Sequence, residues 1–234
     1  MPKPLRNVVS RSVQITLRKK KYQFKCKRHH EKQDNNNNDN FTTPVPNKER
    51  KLIDFANKVY VAPLTTVGNL PFRRIMKRFG ADITCGEMAV ATCLLEGRNS
   101  EWALLKRHPC EDVFGIQLAA GHADQFTRIS EVIENEGLAV DFVDLNLGCP
   151  LDLICKKGAG AGLMQRDKKL KQSLIGMTNT LSCPVTVKMR TGWDEKKPFA
   201  HELVAKIQSW GIDGVAAVMV SSREQSILSR EVSH

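Results

Sequence analysis

Residues 141–150 read Asp-Phe-Val-Asp-Leu-Asn-Leu-Gly-Cys-Pro. Phe142–Asn146 is a short strand-like apolar run, and Gly148 and Pro150 fix a tight turn around Cys149. Comparable runs rich in Val and Ile recur at Val59–Leu64, Asp82–Cys85, Val113–Leu118, Val185–Met189 and Val215–Val220. Amphipathic helix patterns fall between them, near Leu70–Phe79, Met88–Leu95, Ala123–Glu134, Lys168–Thr180 and Phe199–Trp210. Gly80 and Gly211 stand where two of these helices should stop. Strands apolar on both faces and separated by single helices predict a buried parallel sheet with helices outside. A (β/α)₈ barrel and a doubly wound sheet would both give this pattern. Six strands can be counted, whereas a barrel needs eight and about 250 residues. The expectation is an α/β fold of the TIM-barrel type, incomplete at about six strands.

Ahead of this body the composition changes. Residues 1–30 hold ten Lys and Arg and no acid, which accounts for ten of the eleven net positive charges of the 234-residue chain. Asp34–Asn40 is an asparagine-rich run, and Thr43-Pro44-Val45-Pro46 follows it. Residues 1–57 are therefore expected to form a disordered basic tail, and residues 58–234 the partial barrel. Three readings of the basic arm stand open. It is a solvated polycation weakly attracted to RNA, a nuclear-localisation patch around Lys19–Arg28, or a mitochondrial presequence. Cytoplasm, nucleus and mitochondrion all remain expected locations.

Seven cysteines without regular spacing point to free thiols rather than a disulfide framework. Zinc is not expected: no C-x-x-C occurs, and Cys26 with His29 and His30 supplies too few ligands. No apolar run approaches the roughly 20 residues that span a bilayer, so no membrane partner is expected.

In parallel α/β folds the working residues gather at the carboxyl ends of strands. Those ends read Pro63-Leu64-Thr65-Thr66, Gly86-Glu87-Met88, Gln117, Asn146–Pro150 and Lys188-Met189-Arg190. A thiol exchanges a proton near neutral pH more readily than most side chains, so Cys149 is a candidate acid; it can equally be a small buried hydrophobe. Lys188 and Arg190 alternate with apolar neighbours and should share one face of their strand. Such cations suit an anion or an electron-rich ring; exposed charges at a strand end are the plain alternative. Gln117 can donate to and accept from a planar heterocycle, or cap a loop. Lys156-Lys157-Gly158-Ala159-Gly160-Ala161-Gly162 is neither a dinucleotide fingerprint nor a P-loop. Its two lysines suit substrate phosphates, and its glycines equally suit a mobile lid.

Taken together, VAPLTTVGNLPFRR at 61–74, DITCGEMAV at 82–90, FGIQLA at 114–119, DFVDLNLGCP at 141–150, KKGAGAGLM at 156–164 and TVKMRTGW at 186–193 resemble the tRNA-dihydrouridine synthase family. Cys85–Met88 and Ser100–His108 look most like its eukaryotic type-3 subgroup, which acts on uridine 47. The resemblance implies a TIM barrel binding FMN, reduced by NADPH or NADH, with tRNA as the partner of a monomer. It implies Pro63, Leu64, Thr65, Gln117 and Lys188 at the flavin, and Asn146, Lys156, Lys157 and Arg190 toward the substrate. Cys149 would protonate C5 of uridine after hydride reaches C6. Three departures accompany it. The family's histidine at the end of strand six is absent from Ala216–Gln225, strands seven and eight and the helical tRNA-binding domain are missing, and so are the paired zinc fingers of the type-3 subgroup. The chain is accordingly expected to be a truncated product that binds FMN weakly. Two alternatives stand beside it: an inactive RNA-binding remnant, and another FMN-dependent barrel oxidoreductase of the dihydroorotate-dehydrogenase kind.

Overall fold

A computed structural model describes residues 4–26, 52–192 and 198–221. Its centre is a six-stranded sheet, all parallel, in the order β1-β2-β3-β4-β5-β6. The strands are β1 Tyr60–Val61, β2 Ile83–Val90, β3 Val113–Ala119, β4 Phe142–Leu147, β5 Val185–Arg190 and β6 Val215–Ser221. A doubly wound sheet reverses its strand order at a switch point. Here the order never reverses, so the chain winds one way, as in a barrel wall. The sheet is a curled half-barrel.

The two faces of β4 show how the residues divide. Val143, Leu145 and Leu147 belong to the large core formed with the helices. Phe142, Asp144 and Asn146 alternate with them on the opposite, concave face. Against the convex face pack α5 (Ala123–Asn135) and α7 (Asp167–Thr180), which also touch each other. α5 buries Phe126, Ile129, Val132 and Ile133, and α7 buries Leu170, Leu174 and Met177, each an apolar stripe at helical spacing. α2 (Leu70–Arg78) starts where Asn69 Oδ1 accepts the Phe72 N–H at 3.1 Å, and α8 (Ala200–Ser209) precedes β6.

Two expectations are corrected. Met88–Val90 continue β2 rather than opening a helix; the helix there, α3, is confined to Ala91–Leu95. Met88 and Ala89 have strong helical preference, but pairing with Gln117 and Leu118 across the ladder overrides it. The ladder shifts register between Cys85 and Met88, which turns Glu87 toward the β1–α2 loop.

The second correction concerns the tail. Residues 4–26 are packed on the body. Arg6 pairs with Arg107 in an antiparallel bridge, and α1 (Arg11–Arg18) buries Leu17 in the main core beside Val9 and Val13. The Tyr22 and Phe24 rings meet at a tilt with centroids 5.0 Å apart, and the Arg128 guanidinium lies over Phe24. Lys25 and Cys26 donate their backbone N–H groups to Glu131. Val9, Val13 and Leu17 sit at i, i+4 and i+8, an apolar stripe that composition hides behind ten cations. Ile53 and Phe55 likewise pack near Phe142 and Tyr60, so the body reaches back past residue 58. The asparagine-rich run and Thr43–Pro46 lie outside the described residues. Among the described residues, no helix is long and apolar enough to cross a membrane.

Candidate active site

Cys149 lies just beyond the carboxyl end of β4, half-buried in a seat of backbone contacts. Its N–H donates to Asn146 Oδ1 at 3.0 Å, and the Gly148 N–H donates to the same oxygen at 3.2 Å. Its carbonyl accepts the Ala161 N–H at 2.9 Å and the Cys155 thiol at 3.4 Å. The glycine-rich segment supplies this seat, which corrects the reading of it as a mobile lid. Residues 158–161 are buried, and a Cβ on Gly160 would meet the Cys149 carbonyl at 2.7 Å. Gly160 also has φ +57, so its lack of a side chain serves both backbone and contact.

Burial pushes the Cys149 thiol up from its ordinary 9.0, more than Arg190 and the Leu151 N–H pull it down. At neutral pH it is therefore a thiol and not a thiolate. A protonated, partly accessible thiol is equipped to give a proton rather than to attack.

The concave face beside it is polar across three strands. Gln117, Asp144 and Thr186 stand in register on β3, β4 and β5, and Asn146 stands opposite Lys188. Gln117 Nε2 donates to Asp144 Oδ2 at 2.7 Å, and Thr186 Oγ1 donates to Asp144 Oδ1 at 2.6 Å. Asn146 Nδ2 donates to Gln117 Oε1 at 2.8 Å. Lys188 Nζ donates to Ser221 Oγ at 3.1 Å, where β6 ends. Burial lowers the Lys188 ammonium although the Asp144 charge pulls it up, and burial raises Asp144 against two hydrogen bonds and Lys188. Desolvation thus outweighs their attraction for both groups.

Of the residues read from sequence, Gln117, Asn146 and Cys149 join one hydrogen-bonded cluster. Lys188 and Arg190 share the adjoining face of β5 and influence each other electrostatically. Pro63, Leu64 and Thr65 form the β1–α2 loop, which Glu87 ties down by accepting the Thr66 N–H at 2.7 Å. Thr66 holds φ +70, a left-handed turn uncommon for threonine. Lys156 and Lys157 are exposed and take no part in the cluster. Where the resemblance implies a histidine on strand six, Met219 pairs opposite Lys188 and Ser221 follows. Asp144, Thr186 and Ser221 were not singled out from sequence. The signal for Asp144 and Thr186 was period-two alternation: Asp144-x-Asn146 and Thr186-x-Lys188-x-Arg190 put every polar residue of two apolar runs on one face.

Asp144 carries a prediction for stability. It is fully buried and its carboxyl is raised from 3.8 to about 6. A raised carboxyl favours the folded state below pH 4, and that advantage is lost as pH rises to 6 and beyond. Asp144→Asn removes the loss. The variant should match the parent in urea unfolding at pH 4 and exceed it by about 2–3 kcal/mol at pH 7.5, two pKa units being worth about that much. Equal gains at both pH values would show that the carboxyl is not raised.

Residues 60–227 match the sequence profile of the family described as dihydrouridine synthase (Dus). A protein of Rattus norvegicus named tRNA-dihydrouridine(47) synthase NAD(P)(+)-like is 54% identical over 177 residues, covering 76% of this chain and 27% of that protein. Its namesake in Homo sapiens is 53% identical over the same shares, and that of Arabidopsis thaliana is 46% identical over 77% of this chain and 26% of its own length. The chain spans about a quarter of the length of these curated relatives.

Proposed function

The chain belongs to the dihydrouridine synthase family, and from that membership we propose that its half-barrel carries the uracil-reducing site of a tRNA-dihydrouridine synthase, with Cys149 as the acid. The observation that carries this reading is the thiol itself: held by its own backbone at the mouth of the barrel wall, kept protonated by burial, and within electrostatic reach of Arg190.

The concave face suits the ring of a flavin. Lys188 is a half-buried ammonium whose hydrogen-bond partner among the described residues is a neutral hydroxyl, so an electron-rich ring edge or anion beside it would be favourable. Gln117 offers an amide at the same level, and Pro63–Thr65 bring backbone from the neighbouring loop. FMN bound there and reduced by NADPH or NADH would supply the hydride that C6 of uridine receives. Cys149 gives its thiol proton to C5, and the resulting thiolate regains a proton from solvent. Asn146 and Arg190 border the thiol and are suited to hold the uracil. Lys156 and Lys157 are exposed on the segment that follows it and are suited to phosphodiester charge. The target base leaves its stack to reach such a mouth, at a cost of a few kcal/mol.

The test is incubation of the chain with FMN, NADPH and unmodified tRNA, with dihydrouridine read by nucleoside mass spectrometry. Dihydrouridine above the FMN-free control is expected, small in amount if FMN is held weakly. NADPH-dependent reduction of quinones but never of tRNA would instead identify another flavin barrel, and tRNA retention without turnover an RNA-binding remnant.

A further inference from the structure

The donors and acceptors on the concave face form one directed chain, and its direction is fixed at one end. The Gly148 and Cys149 N–H groups can only donate, so the Asn146 atom facing them must be oxygen. Asn146 therefore turns its NH₂ to Gln117, which must meet it with Oε1 at 2.8 Å. Gln117 then turns its own NH₂ inward, and the atom it meets at 2.7 Å, Asp144 Oδ2, must accept. Thr186 closes the chain on Asp144 Oδ1.

An amide is nearly symmetrical in shape, so nothing in the packing of Gln117 or Asn146 alone decides which end points where. Only an obligate acceptor at the far end makes every contact compatible. Reversing Gln117 would set its oxygen against Asp144 and its NH₂ against the NH₂ of Asn146. Reversing Asn146 in turn would set an NH₂ against two backbone N–H groups. We propose that Asp144 is a positioning residue: as the acceptor that ends this chain, it holds the inward NH₂ of Gln117, whose direction the Gly148 and Cys149 N–H groups set from the other end, and so locks the Gln117 and Asn146 amides and with them the seat of the Cys149 thiol. That the seated thiol acts as an acid rests on the function proposed above; the seating itself does not.

The groups facing Asp144 are Gln117 from β3 and Thr186 and Lys188 from β5, with Cys85 of β2 and Tyr60 of β1 close enough to feel its charge. A proton on Oδ1, toward Thr186, leaves the chain direction intact, and a proton on Oδ2 opposes it. Asparagine at 144 can present oxygen to Gln117 and NH₂ to Thr186, which preserves the direction without the charge. Leucine cannot accept at all.

The experiment reads Cys149 directly in the 234-residue chain, without cofactor or tRNA. Iodoacetamide alkylation of Cys149 is followed from pH 6 to 10 by peptide mass spectrometry, which separates it from the six other free thiols. Asp144→Asn should reproduce the parent profile. Asp144→Leu should raise the rate at pH 8 roughly tenfold, about the effect of one lost hydrogen bond on the seated population, and move the profile to lower pH. Gln117→Leu should do the same, and the double variant no more than either alone. A parent-like profile for Asp144→Leu, a profile for Asp144→Asn that matches Asp144→Leu, or effects that multiply in the double variant would each overturn the proposal. If circular dichroism shows Asp144→Leu unfolded, Gln117→Leu decides: an unchanged Cys149 profile there overturns it too. Failure of dihydrouridine formation with these profiles as expected would count against the acid role alone.

Discussion

Replacing Cys149 by alanine is expected to lower dihydrouridine formation about 10²–10⁴-fold, the usual loss when a positioned proton donor is removed. Retention of FMN and of tRNA should not change. The reason is local. The residue is held through its N–H and carbonyl, by Asn146, Ala161 and Cys155, and alanine keeps both backbone groups. Only the sulfur and its proton are removed. The thiol is raised above its ordinary 9.0, so the parent activity should persist through neutral pH and decline on an alkaline limb above that value. Nucleoside mass spectrometry, flavin absorbance and filter retention of tRNA measure the three quantities separately. A loss smaller than tenfold, with turnover otherwise measurable, would remove Cys149 from the proton transfer.

Glu111→Leu should be the most damaging change to stability. Glu111 and Arg73 pair at 2.7 Å with side chains 0% and 2% exposed. The carboxylate also accepts from Thr84 Oγ1 and the His108 N–H, both at 2.8 Å. Arg73 further donates to the Gly68 and Lys106 carbonyls and lies over the Phe114 ring. Removing the carboxylate leaves a guanidinium in the interior without its counter-charge, a loss of about 3–5 kcal/mol. Domains commonly have only 5–15 kcal/mol in total, so the variant is expected to unfold at a much lower urea concentration or not to fold. Arg73→Met combined with Glu111→Leu removes both charges and should recover a good part of the loss. If the single variant costs under 1 kcal/mol, the pair is not the anchor that its burial implies.

Much of this architecture was legible because β3 to β5 are buried on both faces, and their continuous apolar runs, like that of the more exposed β6, leave little room for a different period. Their ends agree with the sequence reading to within one residue. β1 and β2 were less legible. β1 pairs only over Tyr60–Val61 before the chain leaves for the Glu87-pinned loop, and β2 continues through residues that prefer helices. α4 (Asn99–Ala103) and α6 (Asp152–Cys155) escaped because one turn of helix has no periodicity to read. At the site, cysteine, lysine and amides could be found because they follow apolar runs at strand ends. Asp144 lies inside such a run, where one acid among Phe142, Val143 and Leu145 resembles an interruption. Its meaning came from β3 and β5, and pairing between strands is not written within any one of them.

The packing of residues 4–26 separates two kinds of boundary. The family profile begins at residue 60, but the apolar interior does not. Leu17, from a segment outside the family match, fills a place in the same core as Leu94, Trp102 and Leu105. The fold therefore ties a segment outside the family profile to the core inside it. Substitutions on the helices beneath α1 are constrained by a neighbour that lies outside the family profile. The family profile alone would misjudge which of those positions are free to vary.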